Sequence, residues 1–185
     1  MNELNKMLSG DVYDPGDKML SVMRSKARSL TFKYNQTTRA QKDERNDILH
    51  ELFGSIEGSI KIEPSFNCDY GQNISVGDNF YVNFACVILD CAEVKFGRNC
   101  FIGPQVGIYT ASHPINPIER NSGVEFAKPI VIGDNCWIGG HATINPGVTL
   151  GDNVVIASGA VVTKSFPSNV VIGGNPARIL KKVET

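Results

Sequence analysis

Aliphatic residues recur every six positions through the C-terminal half of the chain: Ile132, Ile138, Ile144, Leu150, Ile156 and Val162. Gly133, Gly139 and Gly151 directly follow three of them. The same step runs upstream through Phe96-Gly97, Ile102-Gly103 and Ile108, and an earlier run of Val76-Gly77, Val82, Ile88 and Val94 is offset by two residues. Six is not a multiple of 3.6, so no α-helix keeps these side chains on one face. An ordinary strand alternates with period two and gives no reason for a glycine beside an aliphatic at every sixth position. The repeat predicts a parallel β-helix. Each hexapeptide supplies one short flat strand and one corner, and three hexapeptides close one triangular coil. The aliphatic side chain points inward and stacks on its equivalents in neighbouring coils, while Gly and Asn supply the backbone angles of the corners.

The repeat does not begin at once. Residues 1–58 are charged, poor in glycine and helical in period, and residues 59–185 carry the repeat. The first segment reads as two helices. One starts at Asp14-Pro15, with proline in the first turn, and carries the stripe Leu20, Met23, Ala27 and Leu30. The other starts at Thr38-Arg39-Ala40-Gln41, where Thr and Gln three residues apart fit a capping box, with Ile48, Leu49, Leu52 and Phe53 on its apolar side. Within the repeat, residues 109–130 interrupt the pattern with a polar stretch holding His113, Pro114 and Pro117, and loops of this length in a compact domain are often functional. After Val162 the pattern gives way to Pro167, then Gly173-Gly174-Asn175-Pro176, then a basic tail with Arg178, Lys181 and Lys182.

Composition narrows the function. With 42% hydrophobic and 20% charged residues the chain can bury a core. Its formal net charge of −1, with no dense run of Lys and Arg, argues against a nucleic-acid partner. No apolar stretch approaches the ~20 residues that cross a bilayer, and Met1–Tyr13 lacks the plan of a signal peptide, so a cytoplasmic protein is expected. Cys68, Cys86, Cys91, Cys100 and Cys136 include no CxxC pair, and their odd number fits buried filler in a reducing compartment rather than a disulfide framework.

Several stretches together resemble the maltose/galactoside O-acetyltransferases of the hexapeptide-repeat superfamily. They are Gly10-Asp11-Val12-Tyr13-Asp14, Asn67-Cys68-Asp69-Tyr70-Gly71, Asn79-Phe80-Tyr81-Val82-Asn83-Phe84, Thr110-Ala111-Ser112-His113-Pro114, Asn135-Cys136-Trp137-Ile138-Gly139-Gly140 and Gly173-Gly174-Asn175-Pro176-Ala177-Arg178. The resemblance runs essentially end to end. It implies a mainly β fold, a left-handed parallel β-helix with a short helical N-terminal segment. It also implies a homotrimer with sites between subunits, acetyl-CoA as cosubstrate, and no metal.

Moving an acetyl group from a thioester to a sugar hydroxyl needs a base for the hydroxyl proton and donors for the oxyanion. A neutral histidine meets the first need near pH 7. Of the three histidines, His50 falls in the second helix, His141 follows Gly139-Gly140 within the repeat, and His113 lies in the interruption and matches the family's catalytic histidine. Its second ring nitrogen needs a carboxylate or a carbonyl to hold it, and Glu125 at the far end of the loop is the candidate. The family's oxyanion donor matches the amide of Gly140, a position where a glycine lets the substrate approach closely. Neither an activated serine nor an activated cysteine is evident; the resemblance implies direct attack without an acetyl-enzyme, and Cys91 and Cys136 are the residues to check against it.

For the acceptor, the resemblance points to Asn83 and Asp69, with Asp14, Asp90 and Trp137 as further candidates. The galactoside branch carries a carboxylate where this chain has Cys91, a departure that weakens a galactoside assignment and leaves maltose, glucose or another saccharide open. On the CoA side the matching positions are Gly140, Ser158, Thr163 and Lys164 along the wall, with Arg178 and Lys181 for phosphate. Three rivals are weighed: a zinc hydratase of the same fold, which needs converging histidines, a non-catalytic scaffold, and an acetyltransferase acting on an antibiotic or an amino acid.

Overall fold

In the computed structural model, which describes residues 1–184, the repeat forms a parallel β-solenoid of about six turns with three walls. The first wall stacks Ser55–Ile56, Ile74–Val76, Val94–Phe96, Ile130–Ile132 and Thr149–Leu150. The second stacks Ile60–Ile62, Phe80–Val82, Phe101–Ile102, Trp137–Ile138, Val155–Ile156 and Val170–Gly173, and Arg178–Lys182 adds an antiparallel strand at its end. The third stacks Phe66–Cys68, Cys86–Leu89, Gly107–Tyr109, Thr143–Ile144 and Val161–Val162.

Every aliphatic of the six-residue run is inside. Ile132, Ile138, Ile144, Leu150, Ile156 and Val162 are each at most 1% exposed. Two positions before each of these, a smaller or β-branched residue also points inward: Ile130, Cys136, Ala142, Val148, Val154 and Ala160 are all buried. This alternation of inward pairs with outward residues is what a flat three-residue strand requires. The five cysteines are free and buried, as filler residues should be.

The two-residue offset has a structural cause. Ser55 pairs with Ser75 and Ser75 with Lys95, a coil of twenty residues, whereas Val131 pairs with Thr149 across eighteen. The extra pair in the early coils lies at the third corner, in Asp69–Asn73 and Asp90–Glu93.

The first corner is built by asparagine. Asn79, Asn99, Asn135, Asn153 and Asn169 all have φ between 56° and 62°, in the left-handed region where Asn is better tolerated than most residues. Their side-chain amides bond one coil to the next at 2.9, 2.9, 3.0 and 2.7 Å, forming a ladder along the edge.

Three helices precede the solenoid rather than two: α1 (Glu3–Ser9), α2 (Lys18–Gln36) and α3 (Lys42–Leu52). Both expected starts fall too early. Asp14 closes a turn, accepting from the Gly16 amide at 2.8 Å, and Asp17 is the cap of α2, accepting from Met19 and Leu20. Thr38 also lies in a turn. Gln41 reaches back to the Thr38 amide at 2.8 Å, half of a capping box, but the helix begins only at Lys42. Leu30, Tyr34, Leu49, Leu52 and Phe53 close the open end of the solenoid against Ile62 and Phe66. A second, smaller core joins Met7, Tyr13, Leu20, Tyr70, Cys91, Ala92 and Ala127. It clamps the N-terminal segment onto the third corner, where the interruption loop leaves the wall.

Candidate active site

The loop departs after Tyr109 and returns at Ile130. Its base is a two-stranded antiparallel ladder, Ala111 opposite Ala127 and Ser112 opposite Phe126, and a short helix α4 (Pro117–Asn121) caps its tip. His113 follows the outgoing strand and Glu125 precedes the returning one, so the ladder holds them side by side. Tyr13 adds a third rung, its amide donating to the Glu125 carbonyl at 2.9 Å and its carbonyl accepting from the Glu125 amide at 3.1 Å.

The Nδ1 atom of His113 lies 3.3 Å from the Val124 carbonyl. A carbonyl only accepts, so this contact selects the tautomer with the proton on Nδ1 and leaves the Nε2 lone pair free. Nε2 lies 3.8 Å from Glu125 Oε1. Of the two kinds of holder expected, a carboxylate or a carbonyl, the Val124 carbonyl is the one in reach of Nδ1, and Glu125 faces Nε2. An imidazolium formed there would meet a carboxylate. Glu125 is itself fixed, because its Oε2 accepts from the Tyr13 hydroxyl at 2.7 Å.

Beneath this pair lies the enlarged third corner. Cys91 donates to Asp69 Oδ2 at 3.6 Å. Burial pushes the Cys91 thiol up to about 12, with Asp69, Glu125 and Asp90 adding to the rise against the Tyr13 bond. It therefore stays protonated at neutral pH and is no thiolate nucleophile. Cys136 is sealed inside the coil at 1% exposure. Burial raises Asp69 as well, against the pull of the Cys91 thiol, Arg24 and Arg28.

Asp90 departs from the expectation of a sugar contact. It is wholly buried, its Oδ1 accepts from the amides of Asp69 and Tyr70 at 3.0 and 2.9 Å, and its Oδ2 accepts from Asn73 at 3.3 Å. Burial raises it to about 7 despite those bonds. A carboxylate so enclosed shapes the corner from below. Asp14, by contrast, is exposed beside Tyr13 on this edge.

Gly140 belongs to a different edge. The second corner stacks Asn83, Gly103, Gly139 and Ala157, coil upon coil, through their amides. Gly140 and Ser158 follow on the same edge, and among the described residues no acceptor takes the Gly140 N–H. A Cβ on Gly103 would sit 2.6 Å from that nitrogen, so Gly103 must lack a side chain for the amide to keep its place. Asn83 Oδ1 accepts from the Phe84 amide at 2.8 Å.

Trp137 stands 57% exposed on the second wall. With Val155, Val171 and Lys181 it lines an open cavity of about 560 Å³. Arg178 is exposed on the final strand. Thr163 and Lys164 lie on the third corner, two coils beyond the point where the loop leaves. The three histidines sit on three elements: His50 in α3, His113 in the loop, and His141 at the second corner with φ 60°.

Residues 6–58 match the family model of the maltose acetyltransferase hexapeptide capping motif, and residues 129–164 match that of the hexapeptide repeat of succinyl-transferase. The chain is 48% identical to a maltose O-acetyltransferase of known structure from Clostridium difficile 630, with a TM-score of 0.98 over 100% of this chain and 99% of that one. The chain belongs to the maltose/galactoside acetyltransferase family. A galactoside acetyltransferase solved in complex with coenzyme A is 35% identical, with a TM-score of 0.96 over 100% of this chain and 92% of that one. A hexapeptide-repeat acetyltransferase from Vibrio cholerae, solved with acetyl-coenzyme A, is 36% identical over the full length of both chains, with a TM-score of 0.92. Within one chain, His113 at the third corner and Gly140 at the second stand on separate edges.

Sequence reasoning missed Tyr13, Val124 and Gly103. Tyr13 is a single aromatic with no periodic partner, Val124 acts through its backbone, and Gly103 looks like any other glycine of the repeat.

Proposed function

We propose that the protein transfers acetyl from acetyl-CoA to a hydroxyl of a small maltose- or glucose-like sugar, in a homotrimer whose sites lie between subunits. The observation carrying this reading is the His113 arrangement: a proton fixed on Nδ1 by the Val124 carbonyl, a free Nε2, and Glu125 3.8 Å from it. Separation of the edges supports the oligomer. His113 stands at the third corner and the free Gly140 amide at the second, so one chain's base meets another chain's amide.

The sugar hydroxyl gives its proton to His113 Nε2 as its oxygen bonds to the thioester carbon. Charge collects on the former carbonyl oxygen and is met by the Gly140 N–H, an interaction worth about 2.7–4 kcal/mol of barrier. Glu125 stabilises the imidazolium. The C–S bond then breaks, and the imidazolium returns its proton to the CoA sulfur. Asp69, Asp14 and Asn83 bind sugar hydroxyls, while Asp90 braces Asp69 from below. Ser158, Thr163 and Lys164 flank the pantetheine arm, Trp137 lines the acceptor side, and Arg178 and Lys181 meet phosphate. Cys91, where galactoside enzymes carry a carboxylate, argues against a galactoside acceptor.

The test is His113→Ala, assayed by CoA thiol release with maltose, glucose, galactosides, serine and chloramphenicol-like alcohols. A loss of about 10²-fold or more in kcat with acetyl-CoA binding intact is expected. Near-normal turnover removes His113 from the mechanism, and turnover confined to a non-sugar discards the acceptor reading.

A further inference from the structure

On the N-terminal cap, away from the loop, a cavity of about 340 Å³ opens between α2, α3 and the strand Ile60–Ile62. That size is within the range of small-molecule sites. Tyr34, Leu49 and Ile60 give it an apolar floor, and Arg39, Lys42, Arg45 and Lys61 stand around it.

Arg45 is the unusual member. It is only 8% exposed, and a guanidinium that far from water ordinarily needs a counter-ion. Its Nε and Nη2 donate to the Tyr34 hydroxyl at 3.3 and 3.0 Å, and Nη2 also donates to the Ile62 carbonyl. Among the described residues, no carboxylate lies within ion-pair distance of Arg45, and no acceptor takes its Nη1. Nη1 is not sealed off either, since no buried side-chain nitrogen lacks a partner. Arg45 is one of the residues that line the cavity.

The surrounding charge is unbalanced in the same direction. Glu63 is bound to Lys61 at 2.9 Å. Lys61, Arg45 and Arg39 all draw its carboxyl below the usual range. Arg39 and Lys42 are exposed and make no ion pair among the described residues. The residues lining the cavity include four cations and no carboxylate, a setting that suits an anionic ligand. Guanidinium groups present forked donors to phosphate oxygens.

We propose that this cap cavity is a binding site for a small phosphate-bearing metabolite, separate from the acetyl-transfer site. The phosphate sits among Arg39, Lys42 and Arg45, and the rest of the ligand lies on the floor of Tyr34, Leu49 and Ile60.

The experiment is thermal melting of the full-length protein with glucose 6-phosphate, inorganic phosphate, glucose, or sodium chloride matched in ionic strength. At tenfold excess over the dissociation constant, a phosphate-bearing ligand is expected to raise the midpoint by about 2–5 °C. Glucose and chloride should leave it in place. The Arg39→Ala, Lys42→Ala double variant should fold normally, because both side chains are exposed, and should lose the shift. Lys42→Glu should lose it too. Equal shifts with phosphate and glucose 6-phosphate mean that the anion alone is recognised, and a larger shift with the sugar phosphate adds the floor. A shift that survives in the double variant places the anion elsewhere, at the CoA site for instance, and overturns the proposal. So does a shift that chloride reproduces. Acetyl transfer with maltose, measured in the same variants, is expected to be unchanged, so failure here and failure of the His113 mechanism are separately visible.

Discussion

Replacing Glu125 by Gln removes one charge and little else. The side-chain oxygen that accepts from the Tyr13 hydroxyl at 2.7 Å survives, as do both backbone bonds to Tyr13. What disappears is the carboxylate 3.8 Å from His113 Nε2. Two unit charges at that distance interact by about 4 kcal/mol at an effective dielectric near 20. The histidine side chain is 52% exposed and Glu125 23%, so solvent screens more than half of this. About 1–2 kcal/mol remains. It acts only once the imidazolium has formed, so it belongs to the transition state. Glu125→Gln should therefore lower kcat about five- to thirty-fold, with the KM for acetyl-CoA and the melting midpoint unchanged. Initial rates of CoA release under saturating sugar and acetyl-CoA read this directly. An unchanged kcat, or a loss confined to the KM for acetyl-CoA, would refute the assignment of Glu125 to the charged histidine.

Two further perturbations test the scaffold. Asp90 has a folded pKa near 7, raised by burial above its unfolded value near 3.9, so the folded chain holds this proton more tightly. The resulting stabilisation is complete below about pH 4 and is lost as pH climbs to 7, by up to about 4 kcal/mol. In urea melts across that window the wild type should lose stability relative to Asp90→Asn, and parallel curves would contradict the burial argument. At the first corner, Asn135→Ala loses the ladder bonds to Asn99 and Asn153 and forces alanine to φ 57°. It should cost about 2–3 kcal/mol, and Asn135→Gly, which tolerates that φ, about 1 kcal/mol less. Equal losses would show that backbone strain plays no part.

The coil was legible in sequence because its core obeys one rule. Each inward aliphatic stacks on the one a coil earlier, so a fixed step along the chain becomes a column in space. Even the two-residue offset at Val94 was visible, though its cause, the enlarged corner that seats Asp69 over Asp90, needed coordinates. Helix starts were misplaced at Asp14 and Thr38, because a residue suited to capping also closes turns, and only tertiary contact decides which. Helix α1, seven residues long, has too few turns for a period to emerge. At the site, His113 and Glu125 could be named as partners, but not which ring nitrogen faced which acceptor, since that depends on the strand ladder between the two ends of the loop. Asp90 illustrates the same limit. A carboxylate in sequence carries no mark of whether it meets solvent or three backbone amides.

Whether two chains build one site is decided most directly by mixing inactive variants. His113→Ala lacks the base on the third corner, and Asn83→Ala lacks the sugar contact on the second. Each alone should be strongly impaired. Co-refolded at equal amounts, the two form interfaces in which an intact His113 from one chain meets an intact Asn83 from another. Random assembly makes such sites about a quarter of the total. Recovery of about a quarter of the wild-type rate is the outcome predicted here, whereas a mixture no more active than its separate components would place the whole site within one chain.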